Sequence, residues 1–264
     1  MRDISASSEG HQQSPDELVK TSSTPEHLSK INFDSLSDKN HLSEEDVYKA
    51  LGQPYFIPEW REGLFEELVQ KEYPEHLIED KHLKGVLHNH STYSDGAHTL
   101  EEMATHCKNL GYEYFGIADH SKSATYAGGL QEEDILRQHK EIDELNKKLS
   151  PFKVLKGIEC DILYDGSMDY SDVILKTFDY VVASIHQHFK MDEEKATARL
   201  IKAIENPYTT ILGHPTGRLL LARPGYPINH KKVIDACAAN GVVIELNAHP
   251  YRLDVDWTWL TYCM

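Results

Sequence analysis

The chain has 264 residues, 40% of them hydrophobic, enough for one large core with an extension but not for a string of small modules. With 27 Lys and Arg against 43 Asp and Glu, the net charge of −16 excludes nucleic-acid binding through a globally basic surface and leaves room only for a local basic strip. No apolar run reaches the roughly 18–20 residues of a membrane span, and the first residues lack the apolar segment of a secretory signal, so a cytoplasmic protein without a membrane partner is expected.

Residues 1–40 are rich in Ser, Gln, Asp and Lys, carry no apolar period, and read as a disordered or poorly ordered tail. Residues 41–83 read as a helical linker. Ser43 with Asp46 resembles a capping pair ahead of Val47, Ala50 and Leu51, a Pro-punctuated loop follows, and Leu64, Leu68 and Tyr73 suggest a second short helix. From residue 84 to 264 short β-branched or apolar runs alternate with helix-period segments, the pattern of β-α units and a parallel sheet. Strands are predicted at 85–88, 114–118, 154–159, 180–184, 209–212 and 242–246, with helices near 99–110, 131–148, 171–176, 192–205 and 230–240. The alternation fits either a doubly wound sheet or a barrel; the absence of G-x-G-x-x-G and of a P-loop removes nucleotide-cofactor turns and weakens the former.

Cys107, Cys160, Cys237 and Cys263 form no C-x-x-C pair, so neither a disulfide framework nor a thiolate zinc knuckle is predicted. The unusual component is 16 His. His88 and His90 close the first strand, Asp119 and His120 the second, Glu159 the third, His186 and His188 the fourth, His214 the fifth, and Asn247 and His249 the sixth. In a barrel of parallel strands these ends converge on one face. Imidazoles mixed with carboxylates, without thiolates, suit Zn²⁺, Mn²⁺ or Fe²⁺, and so many ligands imply two or three ions, with Glu159 the natural bridge. Asp95 stands in an S-D-G loop where it serves equally as ligand or turn residue, and Asp119 is read as an acceptor that orients a ligand. Glu101, Glu102, Glu132, Glu133 and Asp134 open helices, where carboxylates complement the dipole, and are given no chemistry.

The ordered motifs H-N-H-S-T-Y-S-D-G (88–96), I-A-D-H-S (117–121), G-I-E (157–159), S-I-H (184–186) and G-H-P (213–215) resemble the polymerase and histidinol phosphatase (PHP) domain. Residues 50–63 and 214–226 further resemble the joining segment and PHP domain at the C-terminal end of bacterial family X DNA polymerases. The resemblance implies a distorted (β/α)7 TIM-like barrel holding three metals. It implies His88, His90 and Glu159 around one ion, Glu159, His186 and His214 around a second, and Asp95 and His120 at the third. The family's Asp-x-His pair after a seventh strand is not found in this sequence, so a chain lacking the last strand, of reduced activity, is expected.

Such a cluster favours phosphoester hydrolysis, with Glu159, His214 and Arg218 as catalytic residues and Arg218, Arg223 and Lys122 as phosphate-binding cations. The family X flank favours 3′-5′ exonuclease action on DNA 3′ ends, through a local site or an attached polymerase domain, in DNA repair. The alternatives are a small-molecule phosphatase of the histidinol-phosphatase type and an inactive metal-bound scaffold.

Overall fold

A computed structural model of the chain describes residues 13–37, 41–64, 66 and 77–264, in two compact units divided after Ile78. In the first, α1 (Pro15–Thr21), α2 (Pro25–Lys30) and α3 (Glu44–Ala50) start at Ser14, Thr24 and Ser43, whose hydroxyls accept backbone N–H groups of the first turn. The Ser43 cap is the one expected from the sequence. Residues 13–37 differ from the poorly ordered tail expected there: the two Pro-initiated helices supply Val19 and Ile31 to a core completed by Val47, Tyr48 and Phe56. Spaced over two six- or seven-residue helices, these apolar residues leave no period long enough to register in sequence. Residues 1–12 of the tail and the helix expected around Leu68 and Tyr73 lie outside the described residues.

The second unit is α/β. Its strands are β1 (Gly85–Asn89), β2 (Tyr114–Ile117), β3 (Lys153–Leu155), β4 (Gly157–Asp161), β5 (Tyr180–Ser184), β6 (Ile211–Leu212) and β7 (Val243–Ile244), and every pairing is parallel. The crossovers carry α4 (Leu100–Asn109), α5 (Glu132–Leu149), α6 (Asp172–Leu175), α7 (Glu193–Ile204) and α8 (His230–Asn240), of which α4, α7 and α8 are capped by the side chains of Thr99, Asp192 and Asn229. One expected strand is two. At Lys156 the chain leaves the β2 ladder and joins that of β5, its N–H donating to Asp179 Oδ2 at 2.8 Å. Beyond the break, Glu159 N–H donates to Asp119 O at 3.0 Å and Ser121 N–H to Glu159 O at 2.9 Å, so the two sheets run into one another. The fifth and sixth expected strands shorten to two residues each because their flanks leave the ladder.

Strand order follows chain order throughout. A doubly wound sheet reverses order at a switch point, so this progression is that of a TIM-like barrel wall. Among the described residues β1 pairs only with β2 and β7 only with β6. Strand parity sorts the core: Ile158, Cys160, Val181 and Ala183 face the helices, whereas Val182 and Tyr180 pack on the inner side with Ala118. Glu159 and Asp161 share the inner parity. No described helix is long and apolar enough to cross a membrane.

Candidate metal centre

The inner parity of β4 delivers the Glu159 carboxylate, 1% exposed, to the C-terminal ends of the strands. Five imidazoles surround it. His88 Nε2 lies 2.9 Å, His186 Nε2 3.0 Å and His214 Nε2 2.8 Å from Oε1; His120 Nδ1 lies 3.1 Å and His90 Nε2 3.6 Å from Oε2. A carboxylate offers about four lone-pair sites, so five imidazoles over-subscribe it.

Local backbone devices aim these groups. Between Val86 and Asn89 strand β1 holds one residue more than its partner, and inside this bulge His88 adopts φ 59°, which turns its ring toward Glu159. His214 likewise sits at φ 22° directly after β6. Strained backbone of this kind persists only where the surroundings over-determine it. Gly213 is required by close packing, since a Cβ there would stand 2.4 Å from Ser184 Oγ and 3.3 Å from the His88 ring. Gly96 lets the 90–96 loop fold back, its N–H donating to Ser91 O at 2.9 Å, and a Cβ at that position would strike the His90 carbonyl at 2.0 Å. The fold-back brings Asp95 Oδ1 to 3.3 Å from His90 Nδ1 and Oδ2 to 3.7 Å from His120 Nε2.

Behind the imidazoles stand two carboxylates that sequence reasoning missed. His88 Nδ1 donates to Glu245, whose other oxygen accepts the His214 N–H at 2.7 Å, and His186 Nδ1 donates to Asp161 Oδ1 at 2.5 Å. Each contact fixes the ring and leaves Nε2 turned toward Glu159. The signal for Asp161 was present in the E-x-D spacing, since residues two apart on a strand share a face. Glu245, a carboxylate interrupting the apolar run 242–246, was the corresponding signal on the last strand. Asp119 does not orient a histidine. Wholly buried, it accepts Ser91 N–H, Ser91 Oγ and Gln138 Nε2, each at 2.7 Å, and Ser94 Oγ at 2.5 Å, so it pins the loop leading to Asp95.

Burial alone would depress His88 and His186, but the carboxylates at both ring edges outweigh it and raise them to about 10 and about 9. Burial would raise Glu159, yet the surrounding imidazoles, His186 and His88 foremost, hold it well below the usual carboxylate range. His120 is lowered to about 4 and His214 is lowered as well, in each case by burial first. Five imidazoles packed on one carboxylate cannot all carry a proton.

The structure thus brings together all seven expected ligands: His88, His90, Asp95, His120, Glu159, His186 and His214. Their nearest groupings differ from the expected ones, being His88 with Glu159 and His214, His90 with Asp95 and His120, and His120 with Glu159 and His186. The donor set passes a chemical test for a divalent ion: His90 Nδ1, His120 Nδ1 and His186 Nε2, each facing a carboxylate of the cluster, are buried yet make no hydrogen bond of good geometry. The groups line a cleft of about 930 Å³.

The expected phosphate-binding cations are elsewhere. Arg218 directs its guanidinium to the 252–256 loop, donating to Arg252 O at 2.8 Å, Asp256 Oδ2 at 2.6 Å and Leu253 O. Arg223 lies over the Phe189 ring and donates to Gly217 O, and Lys122 lies over Tyr170. None lines the cleft, because nearness to His214 or His120 in sequence does not fix side-chain direction. His188 packs on Tyr164, while His249 borders the cleft with an exposed ring.

A family model described as "PHP domain" matches residues 86–249. The DNA polymerase/3′-5′ exonuclease PolX of Bacillus subtilis is 43% identical over 217 residues, 82% of this chain and 38% of that protein. A probable phosphatase of Acetivibrio thermocellus is 32% identical over 168 residues, 62% of this chain and 65% of that protein. The chain therefore spans less than two thirds of either relative. Among solved structures, histidinol phosphate phosphatase of Lactococcus lactis, complexed with zinc, L-histidinol and phosphate, covers 61% of this chain and 72% of its own, at a TM-score of 0.45 and 14% identity.

Proposed function

The chain belongs to the PHP domain family, and from that premise we propose that its second unit is a metal-dependent phosphoesterase that removes nucleotides from DNA 3′ ends. The observation that carries the reading is the over-subscribed Glu159. A buried carboxylate facing five imidazole nitrogens fits a site for two or three divalent ions better than it fits any hydrogen-bonding scheme. His88, Glu159 and His214 would hold one ion, His120, Glu159 and His186 a second, and His90, Asp95 and His120 a third, with Mn²⁺, Zn²⁺ or Fe²⁺ suited to the donors. Such ions, when bound, lower the pKa of a coordinated water toward neutrality and offset charge on a phosphate. The chain's own part is to hold Nε2 of His88 and His186 toward the carboxylate through Glu245 and Asp161, and to keep Asp95 at the mouth through the Asp119-pinned loop.

DNA is favoured over a small monoester because the match to the polymerase-exonuclease is longer than residues 79–264 and so reaches into the first unit. A DNA partner would then arrive through an attached polymerase domain, in keeping with a chain of net charge −16. The test loads the chain with Mn²⁺ and compares shortening of a 5′-labelled oligonucleotide with phosphate release from histidinol phosphate. Faster shortening from the 3′ end, abolished by His186→Ala, is expected. Faster release from the monoester would transfer the site to a small-molecule phosphatase.

A further inference from the structure

Among the described residues lining the cleft, Arg252 is the only Arg or Lys. Its Nη1 is buried and has no hydrogen-bond partner. A buried guanidinium nitrogen left unpaired is costly, so its retention calls for an anion that the protein itself does not provide.

The backbone that presents Arg252 is secured without help from its side chain. Arg218 holds the carbonyls of Arg252 and Leu253, Leu220 N–H donates to Tyr251 O at 2.6 Å, and Arg252 N–H donates to His249 O at 2.7 Å. Asn247 N–H donates to Asp254 O at 2.7 Å and Val255 N–H to Glu245 O at 3.1 Å, tying the loop to the end of β7. Two arginines thus divide the work: Arg218 fastens the loop, and Arg252 extends from it into the cleft.

We infer that Arg252 is the residue that grips the non-bridging oxygens of the substrate's phosphate group, the role that sequence position had suggested for Arg218. The assignment rests on the phosphoesterase reading of the cleft. A guanidinium suits the task because its planar fork matches two phosphate oxygens at once, which an ammonium cannot do.

The experiment measures binding of inorganic phosphate to the Mn²⁺-loaded chain by calorimetry, together with KM and kcat on a DNA 3′ end and metal content by elemental analysis. Arg252→Ala is expected to weaken phosphate binding and raise KM by at least about 10-fold with metal content unchanged, the usual scale for a lost hydrogen bond to a charged group. Arg252→Lys should recover only part of the loss, and Lys122→Ala should bind phosphate as the parent does. Unchanged phosphate affinity in Arg252→Ala, loss of metal from that variant, or a parent chain that binds no phosphate would each overturn the assignment. A parent that binds phosphate through Arg252 yet cleaves no ester would overturn the phosphoesterase reading and leave the anion site standing.

Discussion

Both units bury histidine against glutamate, and they do so in opposite ways. In the first, His27 is fully buried with Nδ1 2.7 Å from Glu66 and Nε2 2.9 Å from the Tyr48 hydroxyl, while Lys30 takes the other Glu66 oxygen at 3.3 Å. Each polar atom there has a partner, and burial lowers the His27 pKa so that the ring stays neutral. Around Glu159 the count fails: three imidazoles press on one oxygen and two on the other, with ring nitrogens left over. A structural His–Glu contact closes one to one, whereas a metal-directed one leaves donors that only a cation reconciles.

The hardest test of this contrast is Glu159→Gln. Because outer partners of metal ligands already matter by about 10–100-fold, loss of the shared carboxylate should lower metal affinity and ester hydrolysis by at least about 100-fold. Elemental analysis and chelator titration check it, and a variant that keeps its metal would break the comparison. Next come the carboxylates behind the rings. Glu245→Gln and Asp161→Asn should each weaken metal binding by about 10-fold or more while the fold persists, read by competition with a coloured chelator. His27→Ala should do the reverse, leaving metal content alone and destabilising the first unit by about 2 kcal/mol in urea unfolding, since it strips a buried carboxylate of a charge-assisted partner.

The smallest effects are in pH, and there the two sites have opposite signs. His27 has a lowered pKa, so its contribution is present above about 6.5, the unfolded value, and is lost as pH falls through the folded one. His88 and His186, raised to about 10 and about 9 in the metal-free chain, contribute fully below about 6.5 and lose that contribution as pH rises through those values. Metal must displace their protons, so Mn²⁺ added at pH 8 should release between one and two protons, seen with an indicator dye. No release would mean that the ion avoids both rings.

The strand-end residues were legible because parallel β-α order forces strand ends onto one face, whatever the detail of the helices between. Helix starts at Thr99 and Asp192 were legible for a local reason, the cap itself. The remainder depended on side-chain direction. Arg218 and Arg252 are both arginines near a ligand, and only the path of the 249–256 loop separates the one that binds carbonyl groups from the one that faces the cleft. Residues 13–37 read as a poorly ordered tail because they give the first unit's core only single residues from short, Pro-started helices.

Glu159 is clamped by backbone hydrogen bonds to the extension of β2 on one side and by the β5 ladder on the other, and it is almost sealed from water, whereas the Asp95 side chain is 48% exposed. Time therefore enters the site unevenly. An ion held between His90, Asp95 and His120 would have solvent at its flank and would exchange faster than one held against Glu159. The half-exposed loop carboxylate would then be the door of such a centre, and the buried strand carboxylate its slow reservoir.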